Sequence, residues 1–336
     1  MKPTDFAQHV TRFLGEYLPA QRNVSPNTIA SYRDAFALLL RYCQKHHHLS
    51  PERLPLDRIN ASLISGFLRH LETERHCVPR TRNQRLSALH AFFRYLQSEA
   101  PERLMQCQQI LALPSQRHAR RPVPYLSAED TAALLVQPDR GTGKGRRHTA
   151  LLSALYDTGA RAQELVDLRV GDVRLETPAQ IRLTGKGRKT RIVPLMSNTV
   201  TTLKEYMREH GLLGADQTER PLFTNRYGNA LTRSGVSYLT RKYSQGARRQ
   251  RSSVPSKVSP HTLRHTKAMH LLQAGNPMPV IQAILGHADI KTCAIYASAD
   301  LEMKRKALEK AATKSAPQPL PSWQSNKGLM DWLRSL

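Results

Sequence analysis

The sequence predicts a mainly α-helical protein with a small antiparallel β-sheet, divided into two domains. Three observations carry that reading. Apolar residues recur at helical spacing over most of the chain. One pair of β-prone runs flanks a glycine-containing turn around residues 184–190, and a proline-rich cationic break interrupts the periodicity between Pro114 and Pro124. A length of 336 residues also exceeds what one compact core usually needs.

Residues 1–113 read as helices. Ser25 is placed to cap a helix that has Pro26 at its first position, and Ile29, Tyr32, Phe36, Leu39 and Leu40 then recur at helical spacing to about His46. A further helix spans about Ala61 to Arg75, with Leu63, Ile64, Phe67, Leu68 and Leu71 on its apolar side. The next begins near Pro79 and turns Leu86, Leu89, Phe92, Phe93 and Leu96 inward. Arg80, Arg82 and Arg85 fall in its first turns, where they either reach phosphates or form a merely solvated face.

Residues 114–124 carry three prolines and several cations, Arg120 and Arg121 among them, and read as a stiff, extended basic linker. Ser127 to Asp130 has the pattern of a capping box and opens a second domain, 125–313. Within it Ala179–Leu183 and Arg191–Leu195 flank Thr184-Gly185-Lys186-Gly187-Arg188-Lys189-Thr190, a hairpin turn with Lys186 at its tip. Helices resume near Ser197, Thr232, Pro260, Met278 and Asp300. Residues 314–336 form a Pro- and Ser-rich tail that closes on Leu329, Trp332 and Leu333.

The chain has 51 lysines and arginines against 26 aspartates and glutamates, a formal charge of +25. So basic a surface attracts polyanions and points to nucleic acid, though a ribosomal or chromatin-type protein would satisfy charge alone. The stretch from Arg241 to Arg251, beginning Arg241-Lys242, reads as a phosphate-contacting segment. No apolar run approaches the ~20 residues of a membrane span, and Met-Lys-Pro-Thr-Asp-Phe does not resemble a secretory signal, so a cytoplasmic protein is expected. Cys43, Cys77, Cys107 and Cys293 are scattered without a C-x-x-C pair, which suggests reduced thiols rather than zinc or disulfides. His46-His47-His48 reads as a polar helix end, with metal binding the alternative. Gly141-Thr142-Gly143-Lys144-Gly145 is no P-loop, because Gly145 stands where serine or threonine is required.

Five short motifs remain. Thr158-Gly159-Ala160-Arg161-Ala162-Gln163-Glu164 places an arginine just after a glycine break. Lys186 follows on the hairpin, 25 residues after Arg161. Pro260-His261-Thr262-Leu263-Arg264-His265 opens a helix with His261 and Arg264 one turn apart. Leu285-Gly286-His287 ends a later helix, and Tyr296, the only tyrosine after Tyr243, lies nine residues beyond His287. Each piece alone is unspecific, and a tyrosine near a helix end is ordinarily core. Together, in this order and spacing, they resemble the tyrosine recombinases, the lambda-integrase family that includes the Xer resolvases, phage integrases and Cre. The resemblance spans about Leu126 to Tyr296.

That resemblance implies a helical core-binding domain followed by a catalytic domain, and a set of roles. Tyr296 would be the nucleophile that forms a 3′-phosphotyrosine, with His261 as its general base. Arg161 and Arg264 would clamp the non-bridging phosphate oxygens, a task suited to a fixed, permanently charged donor fork. Lys186 would protonate the leaving 5′-oxygen, His287 would bond the scissile phosphate, and Glu164 would orient its neighbours. His265 reads as structural. No metal or nucleotide cofactor is needed, since cations supply the charge and the phosphotyrosine retains the bond energy. The expected partners are double-stranded DNA with specific sites and three further copies of the chain. In that tetramer a helix over Asp300 to Ala312, anchored by Leu301 and Leu308, exchanges between protomers or packs in cis. Ile295-Tyr296-Ala297-Ser298 in place of the Xer Tyr-Thr-His, the longer C-terminus and the higher charge favour a mobile-element integrase over a chromosome-dimer resolvase. A type IB topoisomerase and a DNA-binding regulator without catalysis remain the competing readings.

Overall fold

The structure, a computed structural model, describes residues 3–117, 124–185, 187, 189–286, 305 and 328–334. The chain forms two compact units, Met1–Arg121 and Pro122–Leu336. The elements are mostly helical, with one small sheet. No described helix is long and apolar enough to cross a membrane.

The first unit contains α1 (Asp5–Arg12), a wider π-helical segment (Phe13–Gln21), α2 (Pro26–His47), α3 (Ala61–Thr73), α4 (Pro79–Glu99) and α5 (Leu104–Leu111). Caps set the starts: the side chains of Ser25 and Asn60 accept from the backbone N–H groups of Thr28 and Leu63. The core is aromatic at its centre. Phe13 lies 5.4 Å from both Phe92 and Tyr95, and Phe36 is edge-on to Phe92 at 5.3 Å. α2 closes at His48, whose left-handed backbone donates its N–H to Cys43, so the histidine run is an exposed helix end as the sequence suggested.

The beginning of the proline-rich break is pinned to this unit. Asn83 on α4 donates through Nδ2 to the Gln116 carbonyl at 2.8 Å and accepts from the Gln116 N–H at 3.0 Å. Arg82 Nη1 donates to the Pro114 carbonyl at 3.0 Å. The start of the expected extended linker is thus held against α4 through Gln116, because α4 offers side chains that satisfy its backbone. Arg120 and Arg121 lie outside the described residues.

The second unit contains α6 (Ala128–Leu135), α7 (Gly143–Thr158), α8 (Ala162–Val166), β1 (Val173–Arg174), β2 (Gln180–Thr184), β3 (Thr190–Pro194), α9 (Ser197–Glu209), α10 (Arg233–Gln250), α11 (Pro260–Gln273) and α12 (Met278–Leu285), with α13 (Leu329–Arg334) near the C-terminus. The sheet is antiparallel in the order β1-β2-β3, with Ile181 opposite Val193 and Leu183 opposite Arg191. The sequence indicated the hairpin but not β1, which at two residues is too short to show an alternation.

α7 runs through the core, with every residue from His148 to Leu155 buried. Its start is the Gly-Thr-Gly-Lys-Gly stretch, where the Thr142 side chain caps the Gly145 N–H at 3.0 Å. The Ser127–Asp130 box is only half formed. Ser127 Oγ accepts from the Asp130 N–H, but the Asp130 carboxylate turns away to accept from Arg251 and Ser253. A tertiary cation outcompetes the local return bond there.

His148 supplies a pH dependence. It is 2% exposed, and its Nδ1 bonds the Tyr243 hydroxyl at 2.7 Å. Burial, aided by the cations Arg147, Lys144 and Lys242, pushes its pKa down to about 4. The unfolded chain thus takes up a proton near pH 6.5 that the folded one refuses until about pH 4. Stability is full above the upper value and falls as pH drops through that window, by up to about 3 kcal/mol. Urea unfolding at intervals between these pH values should show a shallower decline in His148→Gln; equal slopes would refute this account.

Candidate active site

Three segments far apart in sequence meet around one carboxylate. Glu164, on α8, is 3% exposed. Its Oε2 accepts from the Arg161 backbone N–H at 2.9 Å and from Arg191 Nη2 at 2.8 Å, while Oε1 accepts from Arg161 Nη1 at 2.6 Å. Arg264 Nη1 stands 3.9 Å from Oε2. Burial alone would raise the Glu164 carboxyl, but the bonds from Arg191 and from Arg161 outweigh it and hold the pKa below the ordinary carboxylate value. One ionised carboxylate thus organises three guanidiniums.

Each arginine is held differently. Arg161 sits at the N-cap of α8 with its side chain 39% exposed, which leaves it open to a ligand. Arg191 is on β3, at 10% exposure, and also donates through Nε to the Ile284 carbonyl at 2.8 Å. Arg264 is 1% exposed and donates to the Gly159 and Leu285 carbonyls at 2.7 and 2.6 Å. His261 and Arg264 stand one turn apart on α11, as expected, but differ in burial. His261 is exposed at the mouth of α11, whereas Arg264 lies beneath it, joining the ends of α7 and α12.

The turns are built around this cluster. α11 starts with Ser259 and Thr262 capping each other reciprocally and with Pro260 at its first position, which sets His261 in the first turn. A β-carbon on Gly185 would come within 2.9 Å of Glu164 Oε1 and 3.7 Å of Arg161 Nη1. Glycine is needed there because backbone passes directly against the carboxylate. Gly286 closes α12 at φ +66°, and a β-carbon on it would strike the Arg191 side chain at 2.9 Å. Lys186 and His287, each one residue beyond these glycines, and Tyr296 lie outside the described residues.

Arg161 and His261 line one open cleft of about 770 Å³, together with Arg233, Tyr238 and Arg241 of α10. Arg233 and Tyr238 were not singled out from the sequence; their spacing along α10 with Arg241 puts them on one exposed face. Lys242 lines a second basic cleft with Lys144 and Arg147. The stretch from Arg241 to Arg251 divides, since Arg251 pairs with Asp130 and Arg248 donates to the Val254 carbonyl. In the first unit Arg80 is exposed, but Arg82 pairs with Glu72 and Arg85 donates to the Ser31 carbonyl, so both are partly committed inside the fold. His265 packs against His261 with ring centres 4.3 Å apart, and burial, with the nearby His261 and Arg264, pushes its pKa down to about 4.

Comparison with known proteins identifies the enzyme class. Residues 124–303 match the phage integrase family, and residues 10–100 match the phage integrase N-terminal SAM-like domain. A protein of Sinorhizobium fredii, y4rC, whose name assigns it to the integrase/recombinases, is 38% identical over 338 residues, covering 100% of this chain and 99% of that protein. The tyrosine recombinase XerD of Pseudomonas putida is 34% identical over 281 residues, covering 82% and 88%. Two solved structures share the fold. The XerH site-specific recombinase bound to palindromic difH substrate has a TM-score of 0.69 at 23% identity, covering 86% of this chain and 81% of that one. The Tn1549 transposon integrase in complex with transposon right end DNA has a TM-score of 0.68 at 19% identity, covering 90% and 99%. The chain belongs to the phage integrase family, the tyrosine recombinases. It is a tyrosine site-specific recombinase.

Proposed function

We propose that this recombinase integrates, excises or transposes a mobile element by cutting and rejoining double-stranded DNA through Tyr296. The observation that carries the reading is the buried Glu164 and its arginines beside the cleft shared by Arg161 and His261. The tyrosyl oxygen attacks phosphorus, His261 takes its proton, and the 5′-oxygen leaves with a proton from Lys186. Arg161 and Arg264 stabilise the charge on the non-bridging oxygens and His287 bonds the phosphate. Preorganised donors of this kind are worth about 3–4 kcal/mol each in other enzymes. Two of Arg264's donors are committed to carbonyls, so it also fixes the backbone on which Arg161 and His287 depend.

The first unit serves as the core-binding domain, residues 114–124 as the basic linker, and Arg80, Arg233, Arg241 and Lys242 as phosphate contacts. Strands exchange through a Holliday junction in a homotetramer joined by the segment expected to be helical over Asp300 to Ala312, which apart from Arg305 lies outside the described residues. The integrase-named relative supports the mobile-element role. The likeness to XerD favours dimer resolution as the second reading, distinguished by whether recombination needs a second, different recombinase.

The deciding experiment incubates wild-type protein, in EDTA, with a nicked duplex carrying the element's end sequence, so that the short cleaved fragment diffuses away. A protein–DNA adduct that survives denaturant is expected. Sequence-specific binding with no adduct would instead indicate a regulator. Relaxation of supercoiled DNA without exchange between sites would indicate a topoisomerase.

A further inference from the structure

We propose that His46, His70 and Glu74 form a binding site for a zinc-class divalent metal ion, clipping the last turn of α2 to the last turn of α3. The sequence offered metal binding only for the run His46-His47-His48; the fold instead brings one ligand atom each of His46, His70 and Glu74 within 4.8 Å of one another. His70 Nδ1 lies 3.0 Å and His46 Nε2 3.6 Å from the same oxygen, Glu74 Oε1. Ligand atoms around a tetrahedral zinc ion, each at about 2.0–2.2 Å, stand roughly 3.3–3.6 Å apart, so the two edges that meet at Glu74 Oε1 suit such an ion, and the third stays within 4.8 Å.

Two further observations point to a ligand. His70 Nδ1 is buried and makes no well-angled hydrogen bond, although it faces the carboxylate closely. A metal ion placed between them would use the lone pair that this geometry leaves without a proper partner. The rings are also held in place from one side. Tyr42 stacks on His46 at 5.0 Å and lies 5.2 Å from His70, with Phe67 behind it at 5.7 Å. Both helices end here, and the negative ends of their dipoles favour a cation. Two imidazole nitrogens and one carboxylate oxygen select zinc-class ions over magnesium or calcium, which prefer all-oxygen sites.

Lys45 is the competitor. Its Nζ lies 3.0 Å from Glu74 Oε2, so the metal takes Oε1 while the ammonium keeps the other oxygen. The ion's role is structural, tying together two helices of the first unit, and no step of strand cleavage passes through it.

The test titrates full-length, untagged protein with Co²⁺ and then displaces it with Zn²⁺, following the visible bands of tetrahedral cobalt and the thermal midpoint of the first unit. A stoichiometric band is expected, with a midpoint raised by about 10 °C at a hundredfold excess of ion over Kd. His46→Asn and Glu74→Gln, both at solvent-accessible positions, should each weaken binding by about tenfold or more. His76→Asn, an exposed neighbour outside the triad, should leave it unchanged. Lys45→Met should tighten it, which an ordinary surface ion pair would not do. Absence of the cobalt band, or a titration indifferent to His46→Asn and Glu74→Gln, would overturn the site.

Discussion

Tyr296→Phe is expected to abolish the covalent protein–DNA adduct while leaving site-specific binding intact. The substitution removes one oxygen, the atom that would bond to phosphorus, and no other group on the ring can replace it. Backup nucleophiles are few, and the structure sorts them. Tyr243 is buried, its hydroxyl bonded to His148 and its pKa raised by burial. Tyr238 is the instructive control, because it is 55% exposed and lines the same cleft as Arg161 and His261. Tyr238→Phe should therefore retain the adduct. The comparison is read by denaturing electrophoresis on the nicked substrate, with a gel-shift assay for binding. An adduct that survives in Tyr296→Phe and disappears in Tyr238→Phe would move the nucleophile to α10.

The second large effect is on stability. Glu164→Ala should destabilise the second unit by about 3–5 kcal/mol, because it removes the shared partner of guanidiniums already taken from water. Arg191 at 10% exposure and Arg264 at 1% cannot recover hydration without opening the fold, whereas Arg161 at 39% can. Glu164→Gln preserves shape and an acceptor but loses the charge, so an intermediate cost is expected. Combining Glu164→Leu with Arg191→Met, which removes both ions of the buried Arg191–Glu164 pair, should recover part of the loss. Urea unfolding of the second unit measures all three variants. A Glu164→Ala protein within about 1 kcal/mol of wild type would show that the cluster is solvated and that the carboxylate organises nothing.

Much of the architecture was legible because it is encoded locally. The period of the apolar residues marks α2, α3 and α4. Proline at the first helical position marks the starts of α2 and α11, and glycine between β-prone runs marks the hairpin. The family motifs were legible for a related reason. Gly159, Gly185 and Gly286 sit where backbone must pass close to Leu285, Glu164 and Arg191, and that constraint leaves its trace in the residues beside the functional positions.

Arg191 shows where local reading stops. It has the same parity on β3 as buried Val193, while Ile192 between them is 61% exposed. The hairpin therefore turns a charge inward and an apolar side chain outward. Strand alternation hints at this, but only the approach of α8 supplies the carboxylate that makes it stable. The same limit explains Arg82, whose position in a helix's first turns suggested an outward cation but which pairs with Glu72 and holds Pro114.

By itself, then, the sequence determined the helical and hairpin elements, the two-part organisation and the ordered motif set that marks a recombinase. The tertiary structure decided which cation is buried, which faces the cleft, and that His46, His70 and Glu74 meet. The physical reason is that periodicity and capping depend on neighbours within one turn or one strand pair. The partner of a buried charge is chosen instead by whichever distant segment packs against it and excludes water.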